Sequence, residues 1–184
     1  MEKPLVLRRK RYLKKLVDGI EIYAPDKKSL AVILEALLIL QKSPSDYKNV
    51  CSAEFVIFVT RIISRDWNIL KQWSGIKPTW FLDKGMLELS NGYFLASLFV
   101  HEARHVYQEK NKRLKHIVTT SALRERDACA KQTLFLARFG ETTLIKLVKD
   151  SLADEYWIDV DKKMIQSYDY FSILHAELIS REIL

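Results

Sequence analysis

The chain contains 184 residues, 48% of them hydrophobic, and carries a net charge of +7. This length and apolar content suffice to bury a sizeable core, and no Pro-, Gly- or Ser-rich stretch marks a flexible linker. The sequence contains no internal repeat and no low-complexity segment. We therefore expect a single domain over residues 1–184.

The positive charge is concentrated at the N-terminus. Residues 1–20 contain seven basic and two acidic side chains, so the rest of the chain contributes only +2. The basic run from Arg8 to Lys15 is able to contact nucleic acid or an acidic partner, although a solvated strand end or tail is the commoner explanation. No apolar segment typical of a secretory signal follows it, and Cys51 and Cys129 lack a paired spacing, so we expect a cytoplasmic protein.

A β-hairpin is predicted near the start of the chain. Leu13 to Val17 and Ile20 to Ala24 are strand-like segments on either side of Asp18 and Gly19. This dipeptide between two apolar runs is a strong hairpin signal. We therefore assign residues 1–25 to a basic N-terminal hairpin.

A long apolar helix is predicted next. Asp26 is a favourable N-cap, and the helix is expected to end near Gln41, before Pro44. Its apolar core, Leu30 to Leu40, is too short to span a membrane and includes Glu35. We therefore expect no membrane partner for this helix.

The centre of the chain has three strand-like segments. Glu54 to Thr60 is a β-branched and aromatic run that favours a buried strand, although a helix extending through Ile63 fits the same residues. Thr79 to Leu82 is predicted to form a hairpin with a second short strand, joined to it by residues 83–85. That second strand consists of Met86, Leu87, Glu88 and Leu89.

The remaining segments are predicted as amphipathic helices. The first extends from Tyr93 to Lys110, with Ser90 or Asn91 as its N-cap, and another begins near Ser121. Two C-terminal helices are expected within residues 139–184, near 141–152 and 168–183. The predicted fold class is α+β, with helices dominant. The side of the first helix expected to be buried consists of Leu95, Phe99, Ala103 and Val106.

The string HEARH, from His101 to His105, has the spacing of a metal site. Histidines four positions apart lie about 40° apart around a helix, so both imidazoles can reach one ion. Glu102 is adjacent to a ligand without being one, where a carboxylate can take a proton from a zinc-bound water. Glu125, on the following helix, is the expected third ligand. Three protein ligands leave one position open, as catalytic zinc requires.

Other residues compete for the third position. His116 belongs to the basic connector between the two helices, and Asp127 points about 160° away from Glu125 on the same helix. Glu125 is favoured over both. Because Cys51 and Cys129 form no CxxC pair, a closed structural zinc cluster is disfavoured.

HEARH and the downstream ERDA together resemble the gluzincin zinc metallopeptidases, and by length the small single-domain members called minigluzincins. The resemblance covers residues 80–138. It implies a small zincin-like fold with a short mixed sheet, zinc ligands at His101, His105 and Glu125, and Glu102 as general base and acid. It also implies that an extended peptide binds along an edge strand just before the zinc helix, at Met86 to Leu89.

The residues around the expected ligands depart from that family at one position. In many gluzincins an aspartate four residues after the ligand glutamate orients the first histidine, but here Cys129 stands in its place. A thiol is a poor substitute for a carboxylate, so either another acid orients His101 or the zinc is held less firmly.

The resemblance also implies an oxyanion donor, a tyrosine or histidine far downstream of the helix pair. Sequence alone does not choose among the candidates, and packing is the commoner role for such side chains. The candidates are Tyr156, Tyr168, Tyr170 and His175.

The function implied by the resemblance is that of a zinc-dependent peptidase, which hydrolyses peptide bonds through a zinc-bound water activated by Glu102. Its cofactor is one Zn²⁺ ion and its partner is a peptide or protein substrate. The alternative is a zinc-containing regulatory or binding module with slow, highly specific or no proteolysis, acting through a protein or DNA partner. Regulatory metalloproteins of that kind commonly carry a helix-turn-helix domain, and none is visible in this sequence.

Overall fold

One mixed β-sheet organises the fold, with its strands in the order β1-β2-β3-β5-β4. The antiparallel pairs lie at its two ends, β1 with β2 and β4 with β5, while β2, β3 and β5 are parallel. The strands are β1 (Leu13–Val17), β2 (Ile20–Ala24), β3 (Val56–Thr60), β4 (Leu70–Ser74) and β5 (Lys77–Asp83). The computed structural model describes residues 12–60, 70–74, 77–111 and 121–153.

Helices contribute more residues than strands, which confirms the predicted α+β class with dominant helices. None of the helices in the described ranges is long and apolar enough to cross a lipid bilayer. The helices are α1 (Lys27–Gln41), α2 (Pro44–Ser52), α3 (Lys84–Leu89), α4 (Gly92–Lys110), α5 (Ser121–Arg138) and α6 (Thr142–Ala153).

The N-terminal hairpin has the predicted turn. Asp18 and Gly19 both adopt positive φ, 47° and 88°. Two consecutive residues of positive φ match the twist of the strands they join, which explains the preference for Asp-Gly here. Tyr47 on α2 donates a hydrogen bond to Asp18 and ties the turn to the helical layer. Arg8, Arg9, Lys10 and Arg11, the first half of the basic run, lie outside the described residues.

The first helix begins and ends where the sequence predicts. Oδ1 of Asp26 accepts a hydrogen bond from the backbone N–H of Ser29 at 2.8 Å, and α1 ends at Gln41. The other carboxylate oxygen of Asp26 accepts from Nζ of Lys84, also at 2.8 Å. Asp26 therefore caps α1 and links it to the start of α3.

The predicted hairpin over residues 79–89 is wrong in its second half. Thr79 to Leu82 does lie in β5, but Met86, Leu87, Glu88 and Leu89 belong to helix α3. Alternation over four residues is too short to separate a strand period from a helical one, and Met, Leu and Glu are good helix formers. Nor is β5 at an edge, since it lies between β3 and β4. An edge-strand site for a peptide at Met86 to Leu89 is therefore excluded.

The back of α4 packs into the core as predicted. The indole of Trp80 on β5 lies between two phenylalanine rings, with ring centroids 3.8 Å from Phe55 and 5.3 Å from Phe99. At its start α4 approaches α1 so closely that a Cβ on Gly92 would lie 2.6 Å from Ile39 Cδ1. The predicted buried positions Leu95, Phe99, Ala103 and Val106 are all buried.

Replacement of Asp26 tests the link between α1 and α3. The Lys84 hydrogen bond and the Ser29 N–H lower the pKa of Asp26 to about 2. Asp26→Ala is expected to lower the free energy of unfolding by about 1 kcal/mol through loss of the cap, whereas Asp26→Asn keeps a capping oxygen and loses only the charge.

The carboxylate's own contribution is present above the unfolded-state pKa of about 4 and is lost as the pH falls through about 2. Wild type and Asp26→Asn should therefore converge in urea unfolding as the pH falls from about 4 towards 2 and below. A stability gap that stays constant over this range contradicts the assignment.

Candidate metal centre

The three residues predicted as ligands lie together where α4 packs against α5. Nε2 of His101 lies 3.0 Å from Nε2 of His105. The two carboxylate oxygens of Glu125 lie 3.1 Å from these nitrogens, Oε2 from His101 and Oε1 from His105. Both histidines are buried. Two imidazole nitrogens and the two oxygens of one carboxylate therefore form a compact cluster, which we call the donor triangle after its three side chains.

The size of the triangle fits a small divalent cation. In a tetrahedral zinc site the ligand atoms lie about 2 Å from the ion and roughly 3.3 Å from one another. The observed separations of 3.0 and 3.1 Å are close to that value. His101, His105 and Glu125 thus have both the donor types and the spacing for one ion with an open coordination position.

The proton positions support the same fit. Nδ1 of His105 lies 2.9 Å from Oε1 of Gln108, which is an acceptor. In the neutral imidazole the proton is therefore on Nδ1, and Nε2 presents its lone pair towards His101 and Glu125. Lone pairs and a carboxylate this close together are stabilised by a positive charge between them, either a proton shared with Glu125 or a metal ion. The donor set is therefore suited to hold a cation.

Glu102 occupies a different position from the three donors. It is only 8% exposed, and its Oε2 atom has no hydrogen-bond partner in the described part of the chain. One of its carboxylate oxygens lies within 4.8 Å of ligand nitrogens of both His101 and His105. A buried carboxylate oxygen without a partner is costly, so its presence beside the triangle points to a ligand or a reacting group there.

Charge coupling keeps Glu125 ionised. Burial alone would raise the pKa of Glu125, but hydrogen bonds with His101 and His105 outweigh it and hold that pKa well below its usual range. For His101 burial alone would lower the pKa, and the hydrogen bond with Glu125 together with the charge of Glu102 raises it instead. Glu125 therefore remains an anionic donor at neutral pH.

The outer side of His101 contacts a thiol and an amide. Sγ of Cys129 lies 3.8 Å from Nδ1 of His101, and an interaction with the Gln132 side chain contributes to the raised pKa of the same imidazole. The amide nitrogen of Gln132 donates to Oγ of Ser97 at 3.0 Å, which leaves its oxygen as the acceptor of that amide. Among the described residues, a thiol and an amide rather than a second acid therefore neighbour this side of His101.

The predicted weakness of Asp127 as a ligand agrees with its position. Its carboxylate accepts two hydrogen bonds from Arg104, at 2.6 and 3.0 Å. Burial alone would raise the pKa of Asp127, but the hydrogen bonds from Arg104 and Gln108 lower it. Asp127 is thus held in a cross-helix ion pair between α4 and α5 and takes no part in the donor triangle.

Two residues near the ligands, Gln108 and Gln132, have no role assigned from the sequence. Their spacing could have identified them as neighbours of the ligands. Gln108 lies seven positions after His101, and Gln132 lies seven positions after Glu125. Residues seven apart lie about 20° apart around a helix, so each glutamine shares the ligand's face. Side chains of that kind on a ligand-bearing face are candidates for orienting the ligands.

Several sequence-predicted candidates lie outside the described residues. They include the rival ligand His116 and all four possible oxyanion donors. The four are Tyr156, Tyr168, Tyr170 and His175.

No family model, no curated protein and no solved structure matches this chain. The resemblance to gluzincins therefore depends on the residues of the candidate centre alone.

Metal binding is expected to stabilise the folded protein. A ligand at about 100 times its Kd adds about 2.7 kcal/mol of stability when it binds only the folded state. Thermal unfolding with and without added zinc should therefore show a rise in Tm for wild type that is largely lost in His105→Ala. Glu102→Gln is the matched control, because it leaves all three donors in place and should keep the rise. An equal rise in wild type and His105→Ala would rule out this centre.

Cys129 is expected to be dispensable for metal binding. Burial, and secondarily the charges of Glu125 and Glu102, raise the pKa of the Cys129 thiol to about 12, and the sulfur lies on the Nδ1 side of His101. The donor triangle lies at Nε2 of His101, the other nitrogen of the ring. Chelator competition should therefore give the same zinc affinity for Cys129→Ala and wild type. A loss of about tenfold or more would identify the sulfur as part of the metal centre.

Proposed function

We propose that this protein is a zinc-dependent peptidase, with His101, His105 and Glu125 as the zinc ligands and Glu102 as the general base and acid. The observation that carries the proposal is the triangle of donors beside a buried carboxylate oxygen that has no partner among the described residues. The motif resemblance to gluzincins supports the same roles. The proposed reaction is hydrolysis of a peptide bond in a peptide or protein substrate.

The chemistry assigned to Glu102 follows from its position. When bound, zinc polarises the scissile carbonyl and makes a water molecule more acidic. Glu102 accepts a proton from the water whose oxygen bonds to the carbonyl carbon, and it returns that proton to the amine nitrogen as the C–N bond breaks. Because Oε2 of Glu102 has no hydrogen bond within the described residues, no such contact has to be broken first.

Zinc is the metal we propose, although two imidazoles and a carboxylate also suit ferrous iron. Zinc is favoured because the HEARH spacing supplies a carboxylate that is adjacent to the ligands without being one. Metal analysis of the purified protein distinguishes the two ions. The proposed location is the cytoplasm, which agrees with the free state of Cys51 and Cys129.

The decisive substitution is Glu102→Gln. It keeps the shape of the side chain and all three zinc donors but removes the base, so kcat should fall by a factor on the order of 10² to 10⁴ with the zinc content unchanged. Casein cleavage or autolysis is the readout, with metal content measured on the same samples. Glu54→Gln, the same change at an exposed position before β3, should leave the rate unaltered.

The comparison also distinguishes the alternative function. If both proteins contain zinc and wild type and Glu102→Gln cleave casein at the same rate, Glu102 is not the base. Absence of cleavage by zinc-loaded wild type would favour a regulatory or binding module acting through a protein or DNA partner. A wild-type protein that binds no metal would refute the zinc centre itself.

A further inference from the structure

Gln108 lies buried between His105 and helix α5, with every polar atom of its side chain engaged. Its Oε1 atom is 2.9 Å from Nδ1 of His105. Its Nε2 atom donates two hydrogen bonds to α5, to the backbone oxygen of Arg124 at 3.0 Å and to Oδ2 of Asp127 at 2.8 Å. The side chain therefore bridges one predicted ligand and the neighbouring helix.

The contacts allow only one orientation of the Gln108 amide. If the amide were rotated by 180°, its oxygen would face two acceptors, the Arg124 carbonyl and the Asp127 carboxylate. Both contacts would then be repulsive, and the NH₂ group would face His105. Nε of Arg124, 3.5 Å from Oε1, also favours the observed orientation. The atom presented to His105 is thus an acceptor.

The acceptors that hold Gln108 are themselves fixed. Arg104 donates to both oxygens of Asp127 in a two-point ion pair, which keeps the carboxylate in place between α4 and α5. Oδ2 of Asp127 faces two donors, Nε of Arg104 at 2.6 Å and Nε2 of Gln108 at 2.8 Å, which fixes its role as an acceptor. A continuous chain of hydrogen bonds therefore leads from Arg104 through Asp127 and Gln108 to His105.

We propose that Gln108, held by Asp127 and Arg104, is a positioning residue that fixes His105 as the Nδ1–H tautomer and so directs the Nε2 lone pair towards the metal. This inference rests on the proposed metal centre but not on peptidase activity. Gln108 contacts neither the metal position nor a substrate, and it acts through His105 alone. Removal of a group of this kind typically costs 10- to 100-fold in metal affinity.

The central experiment compares zinc affinity in three full-length proteins by competition with a chromophoric chelator. Gln108→Leu retains the bulk of the side chain and removes both of its hydrogen-bonding functions, so zinc affinity should fall by about 10- to 100-fold. Gln41→Leu is the matched control. The amide of Gln41 hydrogen-bonds Tyr47 at the end of α1, and its loss should leave zinc affinity at the wild-type value.

A rescue variant separates hydrogen bonding from simple packing. In Gln108→Glu combined with Asp127→Asn, the new carboxylate accepts from Nδ1–H of His105 and the new amide donates to that carboxylate. Much of the lost zinc affinity should return, although the Arg124 carbonyl stays without its donor. If the double variant binds zinc as weakly as Gln108→Leu while both remain folded by circular dichroism, packing rather than hydrogen bonding explains the loss.

A spectroscopic readout tests the tautomer directly. In metal-free wild type, long-range ¹H–¹⁵N spectra should report the Nδ1–H form for neutral His105, and Gln108→Leu should shift it towards the Nε2–H form that imidazole prefers in water. Cobalt-substituted protein supplies a second signal, because the visible absorption of Co²⁺ responds to ligand geometry. Both spectra should change in Gln108→Leu and remain unchanged in Gln41→Leu.

The outcomes for Gln108 and for the proposed function are separable. Equal zinc affinity and an unchanged His105 tautomer in Gln108→Leu overturn the positioning role and leave the peptidase proposal intact. Zinc-loaded wild type that shows the Gln108 effects but cleaves no peptide refutes the peptidase and leaves the positioning role intact.

Discussion

The contact between α4 and α5 brings three electron-pair donors within 3.1 Å of one another, and the rest of the site depends on that contact. Two of the three side chains are buried away from water, where a positive charge between them is strongly stabilising. In the proposed centre a cation supplies that charge, and a framework has to keep the three side chains from separating. The Arg104–Asp127 ion pair and the Gln108 bridge supply that framework between the helices.

The apolar face of α4 that packs on the sheet prevents the helix from rotating about its axis. Phe99 packs on Trp80 of β5, and burial of each large apolar side chain is worth about 1.5–3 kcal/mol. Rotation of α4 about its axis would expose these side chains, so the sheet fixes the direction in which His101 and His105 point. The ion pair to α5 then sets the distance of Glu125 from them. The apolar packing of one face of α4 therefore determines where the histidines on its other face point.

Local signals in the sequence predict much of this arrangement. The Asp18–Gly19 turn and the Asp26 cap follow from backbone preferences that hold wherever such residues occur. The proximity of His101 and His105 follows from helical geometry, whereas that of Glu125 is a tertiary contact expected only from the resemblance of HEARH and ERDA to a known motif. These features are predictable because each depends on a few neighbouring residues or on one motif.

Features that depend on contacts between distant segments of the chain are not predictable from neighbouring residues alone. Residues 86–89 alternate like a strand, yet Leu87 is buried in the core and Lys84 at the start of α3 pairs with Asp26 on α1. Strand β4 has no strong local signal and is not predicted. Helix α2 is not predicted either, although Ser43 and Pro44 are a favourable N-cap and first helical residue. The hydrogen bonds that Gln108 and Gln132 make between α4 and α5 exist only once these helices pack together. The sequence therefore predicts the helix face on which each glutamine lies, but not its hydrogen-bond partner.

The side chains that contact the Nδ1 sides of the two imidazoles are all uncharged. His105 contacts the amide of Gln108, and His101 contacts Gln132 and the neutral thiol of Cys129. In the proposed centre the charges of Glu125 and Glu102 together balance one divalent ion, so the buried site is neutral as it stands. An aspartate at the buried position of Cys129 would add an uncompensated negative charge, at a cost that increases as the effective dielectric constant falls. Because amides orient imidazoles without adding charge, a glutamine and a thiol can stand where the gluzincin pattern has a carboxylate.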